Sequence, residues 1–269
     1  MIDDPRDMST DTAWEEWARR DPYFGVITNP KFRRSVLDEA AKREFFESSK
    51  PYAHHVMAMV HMYVDSHFAP KKILDFGCGV GRLLVPFAGV AEEVVGVDVS
   101  PSMLVEARRN MDERHLRNVR LVRSDDALSA LEGEQFDFVH SCLVLQHIPI
   151  ARGRALFERL LALLRPGGAG AIHFTYSKTR FADTRGVAPP QPLSPSAPPG
   201  WRPAAGIAPP SGADPEMQMN PYNLNEIMFL LQCKGVRHLH LEFTDHAGEL
   251  GTLLYFALNG TPSALGATQ

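Results

Sequence analysis

The sequence predicts an α/β fold on a mostly parallel sheet with helices on both faces, preceded by a helical N-terminal segment. Three observations carry that prediction. From Lys72 onward, short apolar runs alternate with amphipathic stretches of helix length, the grammar of strand-helix-strand units and parallel pairing. A glycine loop, "DFGCGVG", follows directly on the first apolar run and places Gly77, Gly79 and Gly81 at every second position. Two strand-like stretches then close the chain with no helix between them, which predicts an antiparallel hairpin.

Composition sets the frame for those elements. With 269 residues, 44% hydrophobic and 22% charged, the chain can bury one substantial core. A net charge of −4 and a pI near 6.3 give no global basic field for nucleic acid or an anionic membrane. Arg108, Arg109, Arg114, Arg117, Arg120 and Arg123 form a local basic run across a helix end and a strand start, which reads as a solvated face. Cys78, Cys142 and Cys233 are too few and too scattered for a disulfide framework or a zinc site, and they fit a reducing compartment. The N-terminus carries no basic segment followed by an apolar core, and no run of about 18 apolar residues occurs. A cytoplasmic protein is the expectation.

In order along the chain, residues 1–12 are polar and acidic and predict a loose tail. Helical spacing follows around Trp14 and Trp17, over Lys31 to Glu47, and over Pro51 to Phe68. Between them lies "DPYFGVITNP", a connector too rich in turn residues to predict a helix. The boundary of the main domain is placed at residues 70 and 71. Strands are predicted at Ile73 to Phe76, Glu93 to Val99, Val119 to Ser124, Phe136 to Leu143 and Ala169 to Tyr176. The intervening helices are Arg82 to Gly89, Pro101 to Arg114 with Ser100 as its cap, and Ala151 to Leu164, stopped by "RPGG".

Residues 181–221 interrupt the rhythm with eleven of the 21 prolines. No packed element can be built from that composition, so the segment is either an irregular surface insertion or a lid. A helix at Asn223 to Lys234 and strands at Val236 to Thr244 and Gly251 to Leu258 complete a seven-stranded sheet. His238 and His240 share one strand face with Glu242 and read as a wet face rather than as metal ligands, so no metal is expected.

The glycine loop excludes two phosphate-binding patterns. A dinucleotide fingerprint needs its third glycine where Arg82 stands, and a P-loop needs Gly-Lys-Ser or Gly-Lys-Thr where Gly81-Arg82-Leu83 stands. Instead, Asp75-x-Gly77-x-Gly79-x-Gly81, the strand ending in Asp98 within "VVGVDVSPSML", the acids of "LVRSDDAL", and "FDFVHSCLVLQHIP" before "LLRPGG" resemble in order and spacing the motifs of class I S-adenosylmethionine-dependent methyltransferases, in their small-molecule branch. The resemblance covers about residues 72–176 and implies a Rossmann-like class I fold with S-adenosyl-L-methionine as cofactor.

It also implies roles for residues. Gly77, Gly79 and Gly81 let backbone approach the methionine part; Asp75 faces its ammonium group, and Asp98 accepts from the ribose hydroxyls. Asp125, in preference to Asp126, accepts from the adenine amine, and Met103 packs on the adenine face. Bland readings stand beside these: Asp98 can cap a helix, Asp125 can start a turn, and Met103 can be core. His147 is the candidate base for an acceptor that carries a proton, with helix capping as the alternative. Asp245 and His246, in "TDHAGELG", reach the same cleft if the sixth strand runs parallel to the first five; a plain turn is the alternative. Tyr23 and Phe24 are candidates for cation-π contact with the sulfonium, because segments ahead of the glycine loop fold over the site in this family.

The expected function is methyl transfer to a small metabolite through oxygen, nitrogen or carbon. No Asn-Pro-Pro-Tyr run follows the fourth strand, which tilts against amide or base nitrogen. Non-methyl chemistry on the same cofactor, such as cyclisation of its aminobutyrate arm, and non-catalytic cofactor binding remain alternatives.

Overall fold

The computed structural model describes residues 5–186, 214–215 and 217–258. The proline-rich stretch 187–213, and with it the choice between insertion and lid, lies outside the described residues.

Seven strands form one sheet in the order β3-β2-β1-β4-β5-β7-β6. The strands are β1 (Lys72–Phe76), β2 (Glu93–Asp98), β3 (Val119–Arg123), β4 (Phe136–Ser141), β5 (Leu164–Lys178), β6 (Leu239–His246) and β7 (Glu249–Ala257). The first five are parallel, and β7 runs antiparallel to both β5 and β6. The chain reverses its winding between β1 and β4, so their carboxyl ends flank the switch point where such sheets bind ligands.

Both faces of the sheet are buried, as a sheet wrapped by crossover helices requires. One face packs Leu74, Phe76, Val139 and Phe174 under α7 (Ile150–Ala162) and α8 (Leu224–Cys233). The other packs Ile73, Phe138 and Tyr255 under α4 (Ser49–Tyr63) and α5 (Leu84–Ala88). Alternation along β1 assigns Ile73 and Asp75 to one face and Leu74 and Phe76 to the other. Asp75 therefore points to the α4 side, in register with His140 of β4.

A third cluster forms the N-terminal cover. Trp17, Tyr23, Phe32, Phe45 and Phe46 pack with Val80 and Met103, joining α1 (Pro5–Arg20), α2 (Pro22–Val26) and α3 (Glu39–Glu47) to α6 (Pro101–Glu113). Three expectations are corrected here. The tail is helical from Pro5, a residue tolerated in a first turn. The connector forms the short helix α2, because Pro22 supplies its first helical residue and the Asp21 carboxylate is held by Arg33 Nη1 at 3.0 Å and the Arg34 amide at 2.7 Å. The helix expected from Lys31 starts only at Glu39, where the Asp38 carboxylate caps the Ala41 amide at 2.7 Å.

The hairpin corrects a fourth. His240 stacks on Tyr63 of α4 at 3.7 Å between ring centroids, and Glu242 pairs with His55 at 2.9 Å. That strand face is a packed, ion-paired seam, while Phe243, on the other face, is largely exposed. Among the described residues no group of histidines, cysteines and acids could hold a metal, and no helix is long and apolar enough to cross a membrane.

Candidate functional site

A cavity of about 470 Å³ opens at the carboxyl ends of β1, β2 and β4 beneath the cover. That size is ordinary for a small-molecule site. Its floor is the loop that follows β1. Gly77 and Gly79 hold φ of +76° and +52°, values that L side chains rarely adopt. A Cβ on Gly77 would lie 2.3 Å from Val144 Cγ2, and one on Gly79 2.7 Å from Val26 Cγ2. The glycines are needed by backbone conformation and by the close approach of the cover. Gly81 differs: it does not line the cavity, and its missing Cβ makes room for Met111 of α6.

Asp98 ends β2 and lines the cavity. One carboxylate oxygen accepts the Gly79 amide at 2.8 Å and the other the Ser100 amide at 2.9 Å. A carboxylate has about four acceptor positions, so these amides do not exhaust its capacity. Burial raises its pKa to about 6 against the opposing effect of the Ser100, Gly79 and Val99 amides, with the Asp75 charge adding to the rise. The carboxylate therefore braces the glycine loop and lines the cavity at once. The cap of α6 is Ser100, whose hydroxyl accepts the Met103 amide at 3.1 Å.

Asp75 is buried at the end of β1 and lines the cavity. His140 Nδ1 donates to it at 2.7 Å, and His140 Nε2 accepts the Tyr52 hydroxyl at 3.0 Å. This chain fixes the imidazole tautomer and the orientation of the carboxylate. Arg82, immediately after the glycine loop, also lines the cavity, and its buried Nε has no hydrogen-bond partner among the described residues.

Met103 lines the cavity and also belongs to the cover's core. Asp125 and Asp126 are not brought to the cavity. The Asp125 carboxylate caps the Ser129 amide at 2.9 Å, which lowers its pKa, and Asp126 accepts from Arg152 Nε at 2.7 Å. The chain turns away from the cavity after β3, and Ser124 takes the lining position there.

At the opposite end, His147 stands in a 3-10 turn past β4 and lines the cavity. Its Nδ1 donates to the Gln218 carbonyl at 2.7 Å, and Trp14 meets the ring edge-on at 4.9 Å. The donor role of Nδ1 leaves the basic lone pair on Nε2, 3.3 Å from the Gln146 amide nitrogen. Burial lowers the pKa of His147, with the Gln218 and Leu143 carbonyls opposing, which favours the neutral imidazole. Segment 217–222 is strapped over this end: the Asn220 amide donates to the Gln146 carbonyl at 2.7 Å and the Tyr222 amide to the Thr175 carbonyl at 2.8 Å. Met217 and Met219 of the strap line the cavity.

The hairpin tip contributes His246, whose ring meets His173 at 5.6 Å. Asp245 does not reach the cavity and accepts the Gly248 amide at 2.7 Å within the turn. Tyr23 and Phe24 are also turned away. The Tyr23 hydroxyl lies 2.6 Å from Glu106 Oε1, and the Phe24 ring carries Arg33 at 3.5 Å. The segment does cover the cavity, but through Gly25, Val26, Ile27 and Thr28. Trp14, Arg82, Gln146, Met217 and Met219 were missed from sequence. Only Arg82 carried a local signal, its place directly after the loop.

The comparisons agree with this fold. A family model described as "Methyltransferase domain" matches residues 73–168. Aklanonic acid methyltransferase DauC of Streptomyces sp. (strain C5) is 36% identical over 145 residues, covering 50% of this chain and 64% of the relative. A ubiquinone biosynthesis O-methyltransferase of Methylocella silvestris is 30% identical over 186 residues, covering 66% of this chain and 68% of the relative. For the first curated relatives, the chain spans about half to two thirds of their length. The crystal structure of magnesium protoporphyrin IX methyltransferase from Synechocystis PCC 6803, with bound S-adenosylhomocysteine, superposes with a TM-score of 0.59 at 18% identity, over 94% of this chain and 97% of that one. Glycine loop, acid-ended strands, sheet order and relatives converge: the chain belongs to the class I S-adenosylmethionine-dependent methyltransferases.

Proposed function

We propose that the protein methylates a hydroxyl group of an apolar small molecule, with His147 as the base. The observation that carries this reading is the placement of the His147 imidazole, held through Nδ1 by the Gln218 carbonyl so that its Nε2 lone pair, beside the Gln146 amide nitrogen at 3.3 Å, is the base position of the cavity wall. Trp14, Met217 and Met219 surround it with apolar surface that favours an apolar acceptor. The names of the relatives, which include O-methyltransferases, support oxygen.

The residues fit the cofactor on grounds internal to the structure. The glycine loop offers bare backbone to the cavity, Asp98 keeps acceptor capacity for a pair of ribose hydroxyls, and Asp75 presents a fixed carboxylate for an ammonium group. Met103, Val99 and Ser124 form the adenine side. When bound, S-adenosylmethionine supplies a methyl group already activated by the sulfonium charge. The chain then aligns the acceptor, excludes water through Trp14 and the 217–222 strap, and receives the acceptor's proton on His147 Nε2.

The test is incubation of purified protein with the cofactor and a panel of phenolic and aliphatic alcohols, with products identified by mass. Methyl ethers together with S-adenosylhomocysteine support the reading. Cofactor cleavage without an acceptor would show the non-methyl chemistry instead, and tight binding without turnover a binding protein.

A further inference from the structure

We infer that Gln146 determines which kind of atom is methylated: its side-chain amide donates to the acceptor oxygen while His147 takes the proton, an arrangement that selects hydroxyls over amines. The inference rests on the hydroxyl reading above and deepens it. Gln146 is buried and lines the cavity. Its backbone is clamped by the strap, the carbonyl accepting the Asn220 amide at 2.7 Å and Asn220 Nδ2 at 3.2 Å. A chain of partners then decides which way its side-chain amide faces. The Gln218 carbonyl can only accept, so His147 Nδ1, at 2.7 Å, carries the hydrogen and the neutral ring keeps its lone pair on Nε2. That lone pair needs a donor, so the Gln146 atom 3.3 Å away is the amide nitrogen. The amide oxygen is thereby turned to Thr175, whose fully buried hydroxyl donates to it at 2.6 Å. One amide hydrogen faces His147, and the other has no hydrogen-bond partner among the described residues and is left for whatever fills the cavity.

An oxygen about 2.8 Å from both nitrogens closes a triangle on their 3.3 Å separation. A hydroxyl placed there donates its hydrogen to His147 Nε2, accepts from Gln146 Nε2 with one lone pair and keeps the other for attack. In the transfer that oxygen forms a bond to the methyl carbon, the carbon-sulfur bond breaks with its electron pair going to sulfur, and the hydroxyl proton passes to His147. Charge that builds on the oxygen as the proton leaves is met by the Gln146 donor, as a preorganised donor meets a developing oxyanion. An amine has a single lone pair. A hydrogen bond from Gln146 occupies the pair that must attack, and breaking that bond leaves the amide unpaired, so an amine is disfavoured either way. Thr175 is the positioning residue, because its hydroxyl keeps the amide oxygen turned away from the acceptor.

The test pairs each phenol and aliphatic alcohol of the panel with the amine that replaces its hydroxyl, at saturating S-adenosylmethionine, in three proteins. These are wild type, Gln146→Leu, and the double variant Gln146→Leu, Thr175→Val, which leaves no buried hydroxyl without its acceptor. Wild type should methylate the hydroxyl series about a hundredfold faster than the amines, the scale of one oxyanion donor. Either variant should lose about 10²- to 10³-fold in kcat on hydroxyls, with KM within about threefold and no fall in amine turnover, so that the selectivity collapses. Nitrogen-15 spectra of the ligand-free protein add a readout free of turnover: His147 should carry its hydrogen on Nδ1 and none on Nε2. Four results overturn the inference: equal rates on both series in wild type, an unchanged ratio in a folded variant, an equal loss on both series, or a neutral His147 protonated on Nε2. If wild type methylates no hydroxyl, the hydroxyl reading itself fails, a result distinct from all four.

Discussion

Asp98 joins a structural role to a place in the cavity wall. Its carboxylate braces the Gly79 and Ser100 amides, and burial lifts its pKa to about 6, above the ordinary value of 3.8. A raised carboxylate pKa means the folded protein binds more protons than the unfolded chain between about pH 4 and 6, so this group's contribution to stability falls as pH rises through that window. On the proposed ribose role, ligand affinity has the opposite sign, because hydroxyls donate more strongly to the charged carboxylate than to the neutral acid. Affinity for S-adenosylhomocysteine should therefore rise between pH 5 and 7 in wild type and be flatter and weaker in Asp98→Asn; calorimetry across that range checks both. His147 gives a separate expectation. Replacing it with Ala should lower kcat for a hydroxyl acceptor by about 10²- to 10⁴-fold while leaving the Kd for S-adenosylhomocysteine within about twofold. In wild type, kcat/KM should climb with pH to a plateau below the ordinary histidine value of 6.5, because burial favours the neutral base.

The N-terminal cover is both a wall of the cavity and a core of its own. Two polar latches hold α1 to the body. Glu15 accepts from the Ser100 and Ser102 hydroxyls, each at 2.6 Å, and Arg152 reaches Asp11 at 2.7 Å. Burial alone would raise the Glu15 pKa, but those hydroxyl donors outweigh it and lower the value. Deleting residues 1–30 would strip Trp17 and Tyr23 from a cluster that also holds Phe45 and Met103, so truncation costs folding as well as binding. Releasing the latches separates the two effects. The Asp11→Asn, Glu15→Gln double variant should keep its melting temperature within about 8 °C, since the two contacts at the edge of the cover contribute about 1 kcal/mol or less each. The same variant should bind S-adenosylhomocysteine several-fold more weakly, because Trp14, Val26 and Ile27 no longer close the cavity.

Across the whole molecule, the site joins parts of the chain that only the fold brings together: the cover, the carboxyl ends of β1, β2 and β4, the 217–222 strap and the hairpin tip. Occupancy of such a site couples those parts. At a concentration of about one hundred times its Kd, a ligand that binds only the folded state adds about 2.7 kcal/mol. S-adenosylhomocysteine should therefore raise the thermal midpoint by about 5–10 °C. Hydrogen exchange should slow at 10–28, 75–82 and 98–103 and stay unchanged in α8, which packs under the sheet away from the cavity lining. Uniform protection of the whole chain would instead indicate global stabilisation without a local site.

The sequence by itself determined the fold class and the glycine loop, and it placed Asp75, Asp98 and His147 at or past strand ends that the structure brings to the cavity, because strand ends are written in local spacing: an apolar run, a turn, a helix start. The same locality explains its errors. Asp125 and Asp126 were placed correctly after β3, but whether the chain there faces the cavity depends on how the loop packs against α7 and α1, through Arg152. Tyr23 and Phe24 were correctly placed in the cover, yet their orientation was set by Glu106, Asn110 and Arg33. Only the tertiary structure decided the Asp75-His140 pair, 65 residues apart, and the unpartnered Arg82 Nε. Strand order places β4 beside β1, and burial then makes every unpaired charge on that wall either costly or reserved for a ligand.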